Sequence, residues 1–226
     1  MSTEPVSAAA VADACLLEGV AFVSAPQSVS WFPTSVRRVN GRAVAVEHLG
    51  SVDVFLEAFG RAGTGDVLVV DNGGRDDEGC IGDLVALEAA NAGVAGIVIW
   101  GRHRDSAVLA TLPLGLWSCG TNPVGPPGVR KADHDQVFVG EACVSDGDLV
   151  VADEDGVLFV PRDAAERVLD AAREIEAAEK RQAERARGGE SLRVQLRFTE
   201  YLERRAADPA FTFRDHLRAI SSHIEA

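Results

Sequence analysis

Short apolar runs and helical segments alternate through the middle of the chain. Residues 66–71 (DVLVVD) and 94–100 (VAGIVIW) are nearly continuous apolar runs flanked by glycine, which is typical of strands buried on both faces. Between them, residues 83–92 form a helical segment that begins at Asp83 and stops before Gly93. A strand, a helix and a strand of these lengths predict a parallel βαβ unit with a right-handed crossover.

The segments on either side extend this unit into a larger sheet. The further predicted elements are helices at 6–19 and 52–62 and apolar strands at 42–47, 114–117, 136–140 and 148–160. Within the last of these, Asp155-Gly156 between two apolar runs indicates a β-hairpin. We therefore expect an α/β fold in which helices pack on a mixed sheet that contains the parallel βαβ unit.

After Pro161 the pattern changes to charged, amphipathic helices. The first is predicted at 163–188, where it begins with the spacing of a capping box and ends at a pair of glycines. Further helices are predicted at 192–205 and from Thr212 onward, the latter with an apolar stripe of Phe213, Leu217, Ile220 and Ile224. We therefore divide the chain into a sheet domain at 1–161 and a C-terminal helical extension at 162–226, which packs on the same domain or on a neighbouring subunit.

Composition and charge narrow the range of partners. The 226 residues are 46% hydrophobic and 25% charged, which is ordinary for a globular chain that can bury a sizeable core. The formal net charge is −13, and the whole acidic excess lies before Pro161. An acidic body repels phosphate backbones and anionic lipids, so we expect neither nucleic acid nor a membrane surface as a partner.

Targeting signals and cysteines bear on the compartment. The chain has no stretch typical of a secretory signal, and nowhere do 18 apolar residues follow one another. The four cysteines (Cys15, Cys80, Cys119 and Cys143) form no CxxC pair, and we predict reduced, buried thiols. These observations favour a cytoplasmic protein.

The βαβ topology brings polar residues from two loops to one edge of the sheet. Both predicted strands end at the carboxyl edge, where the first leads through residues 72–82 into the helix and the second leads into Arg104-Asp105. Gly82 and Asp83, at the start of the helix, should therefore lie near Arg104 and Asp105. Open α/β sheets bind their ligands at this edge.

These residue types suit a small anionic ligand that chelates a metal ion. Free N–H groups at a helix start bind carboxylates, and the guanidinium of Arg104 can bind a carboxylate through two parallel hydrogen bonds. Asp83 and Asp105 supply hard oxygen ligands for Mg²⁺ or Mn²⁺, directly or through water. Together they predict a site for a metal-chelating oxo acid.

Each residue also has a simpler interpretation. Asp83 alone is typical of a helix N-cap, and Arg104 with Asp105 is typical of an exposed ion pair of little energetic value. We interpret His103 as a surface residue and the acidic run at 76–78 as a solvated charge cluster. Gly73-Gly74 lacks the spacing of a nucleotide-binding loop, so a nucleotide site is not expected.

The middle of the chain resembles the RraA-like family, which includes the class II 4-hydroxy-4-methyl-2-oxoglutarate/4-carboxy-4-hydroxy-2-oxoadipate aldolases. The resemblance lies in the segments GDVLVVDNGG, GDLVALEAANAGVAGIVIWGRHRD, LPLGLWSCGTNPVGPPG and VADEDGVLFVP and covers about residues 6–161. The family hallmark is an acidic residue, twenty intervening residues and then Arg-Asp. Asp83, Arg104 and Asp105 match that spacing.

The resemblance implies a three-layer ββα sandwich that assembles as a homotrimer or homohexamer, with the site at a subunit interface. It further implies that Asp105 ligates a divalent metal ion, Mg²⁺ or Mn²⁺, and that Asp83 holds a metal-bound water. Arg104 would bind the C1 carboxylate or the C2 oxygen of the substrate. The other implied substrate contacts are Gly82 and the backbone N–H groups of Leu84 and Val85.

The activity implied by the resemblance is metal-dependent cleavage of a carbon–carbon bond in a pyruvate-type 2-oxo acid. Retro-aldol cleavage of 4-hydroxy-4-methyl-2-oxoglutarate and decarboxylation of oxaloacetate both pass through a pyruvate enolate, whose charge a metal ion and Arg104 would stabilise. A glutamate from a neighbouring subunit completes the water shell in the characterised aldolases, and Glu200 and Glu225 are the candidates here. Two alternatives stay open: a non-catalytic regulator that binds ribonuclease E, and a lyase or isomerase for a different oxo or sugar acid.

Overall fold

The computed structural model of the protein describes residues 4–130 and 136–220. The helices are α1 (Ala8–Glu18), α2 (Asp53–Arg61), α3 (Asp83–Asn91), α4 (Ser106–Leu109), α5 (Ala165–Arg187), α6 (Leu192–Gln195), α7 (Phe198–Ala207) and α8 (Phe213–Ala219). The strands are β1 (Val23–Ser24), β2 (Ser30–Phe32), β3 (Val39–Glu47), β4 (Val67–Asp71), β5 (Gly79–Ile81), β6 (Gly96–Trp100), β7 (Arg102–His103), β8 (Gly115–Ser118), β9 (Val137–Val139), β10 (Ala142–Val144), β11 (Leu149–Asp153) and β12 (Gly156–Val160). The predicted βαβ unit is confirmed as β4, α3 and β6, and the predicted hairpin as β11 and β12.

The main sheet has eight strands in the order β1-β12-β11-β3-β4-β6-β8-β2. Its four central strands, β3, β4, β6 and β8, are parallel, and antiparallel strands flank them on both sides. The mixed α/β fold expected from the sequence is therefore confirmed. Because the central strands are parallel, their carboxyl ends all lie at one edge of the sheet.

The sheet is strongly curled. Trp117 in β8 is fully buried, and its indole Nε1 donates a hydrogen bond of 2.7 Å to the Asp153 carbonyl at the end of β11. Three other strands separate β8 from β11 in the sheet order, so this bond crosses the concave face of the curled sheet, here called the hollow. Val139 and Val144 from the β9–β10 hairpin fill the same hollow, together with Phe159.

Helices cover the other face. Phe55 of α2, Ala86 of α3 and Leu109 of α4 pack against sheet residues such as Leu68 and Ile97, and all five are buried. Hairpin, sheet and helices thus form three layers, with apolar side chains filling both interfaces. Burial of this kind is the main favourable term in folding.

The N-terminal and C-terminal helices meet on a separate part of the sheet. Val11 of α1 and Val168 and Ile175 of α5 form a cluster with Val151 and Leu158 of the β11–β12 hairpin. The first half of the helical extension therefore packs on the body of its own chain.

The sequence-based expectation of one continuous helix at 192–205 is wrong, because α6 ends at Gln195 and α7 begins at Phe198. Between them Arg197 has a φ of +46°, which is outside the helical region. His216 Nε2 donates to the Leu196 carbonyl at 2.8 Å, and this carbonyl would accept an intrahelical bond if the helix continued. A tertiary contact therefore replaces the helical hydrogen bond at this point.

The end of the extension packs around aromatic rings. Tyr201 contacts Phe198, Phe213 and His216, with ring centroids between 4.9 and 5.7 Å apart. The predicted helix from Thr212 is confirmed as α8, which begins with a capping box between Thr212 and Asp215. Ile224, the last residue of the predicted stripe, lies outside the described residues.

The expectation of four buried cysteines is right for two of them. Cys15 and Cys80 are buried as predicted, but Cys119 is half-buried and Cys143 is exposed, because it points outward on the short β10 strand. In the part of the chain that the structure describes, no helix combines the length and the apolarity needed to cross a bilayer.

The packing predicts a large cost for truncating the centre of the sheet. Ile97 has no exposed surface, so Ile97→Ala should lower the free energy of unfolding by about 2–5 kcal/mol. Urea denaturation measures this loss. Val194 on α6 is 62% exposed, and Val194→Ala should change stability by less than about 0.5 kcal/mol. Equal effects of the two substitutions would contradict the described core.

Candidate functional site

Three parallel strands end in register at the carboxyl edge of the sheet. Glu47 pairs with Asp71, and Asp71 pairs with Trp100, so the loops that follow β3, β4 and β6 leave the sheet side by side. The first of these loops begins at His48 and the second at Asn72. The edge predicted from topology to bind a ligand is thus lined by three neighbouring loops.

A short parallel pairing folds two of these loops together. The segment between β4 and α3, predicted as a loop, contains β5, which pairs with β7 after β6. Just beyond this pair, Arg104 N–H donates to the Ile81 carbonyl at 2.9 Å. Because Ile81 directly precedes Gly82, this bond holds Arg104 against the start of α3.

The structure brings Asp83, Arg104 and Asp105 together. Asp105 Oδ2 lies 3.5 Å from Arg104 Nε, and the Asp83 N–H donates to the same oxygen at 3.4 Å. The side chains of Arg104 and Asp105 are 43% and 40% exposed, so both remain accessible to a ligand. Both contacts are long, which leaves the lone pairs of Asp105 weakly engaged.

Glycines make room for Arg104 on two sides. A Cβ atom at Gly82 would overlap Asp105 Oδ2 and lie 3.1 Å from Arg104 Nε. A Cβ atom at Gly125 would lie 2.6 Å from Arg104 Nη1. The absence of a side chain at both positions therefore leaves room for the guanidinium of Arg104.

Asp105 has an unusual backbone conformation. Its φ is +59°, and within residues 4–130 and 136–220 Arg197 is the only other non-glycine residue with a positive φ. Such a conformation costs about 1–3 kcal/mol and persists where the surroundings enforce it. Here the pairing of β5 with β7 and the start of α4 enforce it, and it turns the carboxylate toward the start of α3.

The start of α3 differs from the simpler interpretation of Asp83 as its N-cap. Gly82 is the N-cap, and Asp83 is the first helical residue. The Asp83 carboxylate accepts a hydrogen bond of 2.8 Å from the Leu84 N–H. A ligand that binds the Leu84 N–H would therefore have to displace this carboxylate.

The loops enclose a cavity of about 180 Å³ at this edge. Its lining includes every substrate contact that the resemblance implies, namely Gly82, Leu84, Val85 and Arg104, together with Asp83. His48, Cys80 and Pro126 also line it. Burial, with the nearby Glu78 charge, raises the pKa of the Cys80 thiol to about 12, so this thiol stays protonated at neutral pH.

A buried polar network lies behind the cavity, and sequence reasoning missed it. Arg130 Nη1 lies 2.9 and 3.1 Å from the two carboxylate oxygens of Glu78, which has no exposed surface. Arg130 Nη2 donates to Asn72 Oδ1 and to the His48 carbonyl, both at 2.9 Å. The network therefore ties Arg130 to the ends of β3 and β4.

The prediction that residues 76–78 form a solvated charge cluster is wrong for Glu78. Asp76 and Asp77 are exposed, but Glu78 is buried between Arg130 and Arg75. A run of acidic residues has no sequence signal that separates a solvated carboxylate from one that pairs with a distant arginine.

The expectation that His103 is a surface residue is also wrong, because the ring is 1% exposed. Its Nδ1 lies 2.8 Å from Ser118 Oγ and its Nε2 lies 3.3 Å from Ser106 Oγ. Burial lowers the pKa of His103 to about 4, so the ring is neutral at physiological pH. The ring packs edge-on against Phe32 and anchors the residue that precedes Arg104.

The donor set fits a hard divalent cation. The two carboxylates at the site, Asp83 and Asp105, supply oxygen ligands, and Mg²⁺ characteristically keeps several waters besides one or two carboxylates. Among the residues described, no group of three His, Cys, Asp or Glu side chains has a ligating arrangement. Of the two candidate glutamates, Glu200 is exposed on α7, and Glu225 lies outside the described residues.

The chain is similar to known proteins in sequence and in fold. A family model described as "RraA-like: Aldolase/RraA" matches residues 8–159. Two relatives are named "Putative 4-hydroxy-4-methyl-2-oxoglutarate aldolase". The protein from Laribacter hongkongensis is 40% identical to this chain over 55% of this chain and 79% of its own length. The protein from Alkalilimnicola ehrlichii is 35% identical over 54% of this chain and 76% of its own length. The fold is also similar to the crystal structure of Streptomyces coelicolor RraAS2, which is described as an unusual member of the RNase ES inhibitor RraA protein family. The two structures superpose with a TM-score of 0.65 at 28% sequence identity, over 80% of this chain and 93% of that one.

The buried network predicts a stability effect at Glu78. Glu78→Gln leaves the Arg130 guanidinium without its counter-charge and should destabilise the protein by on the order of 2 kcal/mol. This is less than for a fully buried pair because the Arg130 side chain is 25% exposed. Urea denaturation with Asp77→Asn as the matched control tests this, since the Asp77 side chain is 61% exposed. A Glu78→Gln effect as small as that of the control would contradict the described pairing.

Proposed function

Because the chain belongs to the RraA-like family, we propose that it is a divalent-metal-dependent carbon–carbon lyase that acts on pyruvate-type 2-oxo acids. The observation that carries the proposal is the convergence of Arg104, Asp105 and Asp83 at the glycine N-cap of α3, beside one cavity. The names of the two aldolase relatives support the reaction class and point to 4-hydroxy-4-methyl-2-oxoglutarate as a substrate.

Arg104 is the substrate-binding group in this proposal. Its Nε faces Asp105, so its Nη groups are left to pair with the carboxylate or the C2 oxygen of an oxo acid. Gly82 and the backbone N–H group of Val85 at the start of α3 add positive potential on the same side. The Leu84 N–H joins them once the Asp83 carboxylate turns away from it. A small dianion is thereby oriented by the chain itself.

Asp105 and Asp83 are the residues that would hold Mg²⁺ or Mn²⁺, Asp105 directly and Asp83 through water. When bound, the metal ion supplies a positive charge that stabilises the developing enolate. The bent backbone of Asp105 presents its carboxylate without a strong competing hydrogen bond, which suits a ligating role.

The bond that breaks is the same in both proposed reactions. Cleavage of C3–C4 sends its electron pair toward C2, which yields an enolate whose oxygen Arg104 stabilises. In 4-hydroxy-4-methyl-2-oxoglutarate the other product is a second pyruvate, and in oxaloacetate it is carbon dioxide. Protonation of the enolate at C3 completes either reaction.

The natural partners in this proposal are the small-molecule substrate and further copies of the chain in the cytoplasm. The helix layer beside the cavity exposes large apolar side chains at Val52, Leu56, Leu84, Leu87 and Val108, each at least 45% exposed. Isolated monomers rarely expose so many large apolar residues on neighbouring elements. We therefore propose that this layer forms the interface of a homotrimer or homohexamer.

A second candidate function is inhibition of a ribonuclease through protein binding. The description of the Streptomyces coelicolor neighbour as a member of an RNase ES inhibitor family favours it. The substitution Arg104→Ala distinguishes the two functions. It would abolish catalytic turnover but leave protein binding through the outer surface unchanged.

Catalysis should depend on both the metal and the charged pair. With Mg²⁺ or Mn²⁺ the protein should release pyruvate from 4-hydroxy-4-methyl-2-oxoglutarate. A coupled lactate dehydrogenase assay measures the pyruvate, and EDTA should abolish its release. Arg104→Ala and Asp105→Asn should each lower kcat/KM at least about 100-fold. The first removes a positive charge that stabilises the enolate, and the second weakens binding of the metal ion. Arg167→Ala and Asp170→Asn on α5, with side chains 60% and 66% exposed, are the matched controls. A wild-type protein inactive toward a panel of 2-oxo acids would contradict the proposal.

The assembly should depend on the exposed helix layer. Sedimentation velocity should show a trimer or hexamer, and Leu87→Arg should shift it toward smaller species because a charge enters the apolar contact. Leu16→Arg is the matched control, since Leu16 is 66% exposed on α1, away from this layer. A wild-type monomer at micromolar concentration, or equal effects of both variants, would refute the interface.

A further inference from the structure

One buried histidine of the cavity, His48, takes no part in the proposed binding of metal and substrate. His48 follows β3 at the carboxyl edge and lines the same cavity as Arg104 and Asp83. It is 2% exposed, and its ring is stacked on Phe55 at a centroid distance of 5.1 Å. The Nε2 atom is buried and has no hydrogen-bond partner among the described residues.

The neighbours of His48 determine which ring nitrogen carries the proton. Arg130 can only donate, so the Asn72 side-chain atom that lies 2.9 Å from Arg130 Nη2 is the carbonyl oxygen Oδ1. The same oxygen lies 2.8 Å from His48 Nδ1, which must therefore donate to it. In the neutral ring Nε2 is then an unprotonated acceptor.

The surroundings also keep this ring neutral. Burial holds the pKa of His48 below its ordinary value of 6.5, and the Arg130 charge acts in the same direction. The hydrogen bond to Asn72 and the charges of Glu78 and Asp53 oppose this effect without reversing it. His48 lines the cavity, and its Nε2 has no hydrogen-bond partner among the described residues. A neutral imidazole in this position can accept a proton from a ligand.

We propose that His48 is the base that removes the proton from the C4 hydroxyl of a 4-hydroxy-2-oxo acid during retro-aldol cleavage. The inference rests on the proposed function. Nε2 takes the hydroxyl proton, and the O–H electron pair becomes the new C4 carbonyl bond. The C3–C4 bond breaks, and its electrons form the enolate that Arg104 stabilises.

This role separates the two reactions of the site. Oxaloacetate has a carboxylate at C4 and no hydroxyl, so its decarboxylation needs no base and should proceed without His48. Retro-aldol cleavage cannot proceed until the hydroxyl proton leaves, and a positioned general base contributes about 10²–10⁴-fold to such a step. His48 would thus be required for the aldol reaction and not for the decarboxylation.

The test compares both reactions in His48→Gln. Glutamine keeps a polar side chain of similar reach but cannot act as a base near neutral pH. We expect kcat for cleavage of 4-hydroxy-4-methyl-2-oxoglutarate to fall at least about 100-fold, and oxaloacetate decarboxylation to change less than about threefold. His216→Gln is the matched control, because His216 is equally buried but its Nε2 donates to the Leu196 carbonyl in the extension.

A pH profile gives a second readout. The wild-type aldol rate should decline on the acid side only below pH 6.5, because protonation of His48 removes the base. This limb should disappear in His48→Gln and be absent from the decarboxylation profile. If His48→Gln lowers the melting temperature strongly, His48→Asn repeats the comparison.

The outcomes are distinguishable. Equal losses of both reactions in a folded variant would make His48 a purely structural residue, and an unchanged aldol rate would exclude it as the base; either overturns the inference alone. A wild-type protein without either activity would refute the proposed function and the role of His48 with it.

Discussion

The site depends on one backbone contact, the hydrogen bond from Arg104 N–H to the Ile81 carbonyl. Parallel strand order alone brings the ends of β4 and β6 to the same edge, but it leaves their loops free to diverge. The short β5–β7 pairing closes them onto each other, and Gly82 leaves room for the guanidinium at the point of closest approach. The strained backbone of Asp105 follows from the same closure, since the chain must turn from β7 into α4 within a few residues.

Charge in this protein is organised locally. The chain carries a net charge of −13, which at long range repels an anionic substrate. Glu78 and Arg130 neutralise each other behind the cavity, so the guanidinium of Arg104 and the start of α3 are the positive groups that face an incoming anion. Recognition therefore relies on contacts within a few ångströms, where a desolvated charge acts more strongly than the diffuse field of the acidic surface.

Much of the fold could be predicted from the sequence, because hydrophobic period and glycine position are local signals. The βαβ unit, the β11–β12 hairpin and the closeness of Asp83 to Arg104 all follow from strand direction and order. The buried network could not be predicted, since Glu78 meets Arg130 only when a later loop returns to the sheet edge. The break at Arg197 was missed for a similar reason, because the competing donor, His216, comes from a helix further along the chain.

The left-handed backbone of Asp105 also limits how this site can change. Side chains other than glycine, asparagine and aspartate are disfavoured at such a φ, so most single replacements there would disturb the loop before they altered its chemistry. Variation in substrate preference is easier at positions with ordinary backbone geometry around the cavity. A mutagenesis library aimed at new substrates would therefore keep position 105 constant and randomise a cavity-lining position such as Pro126.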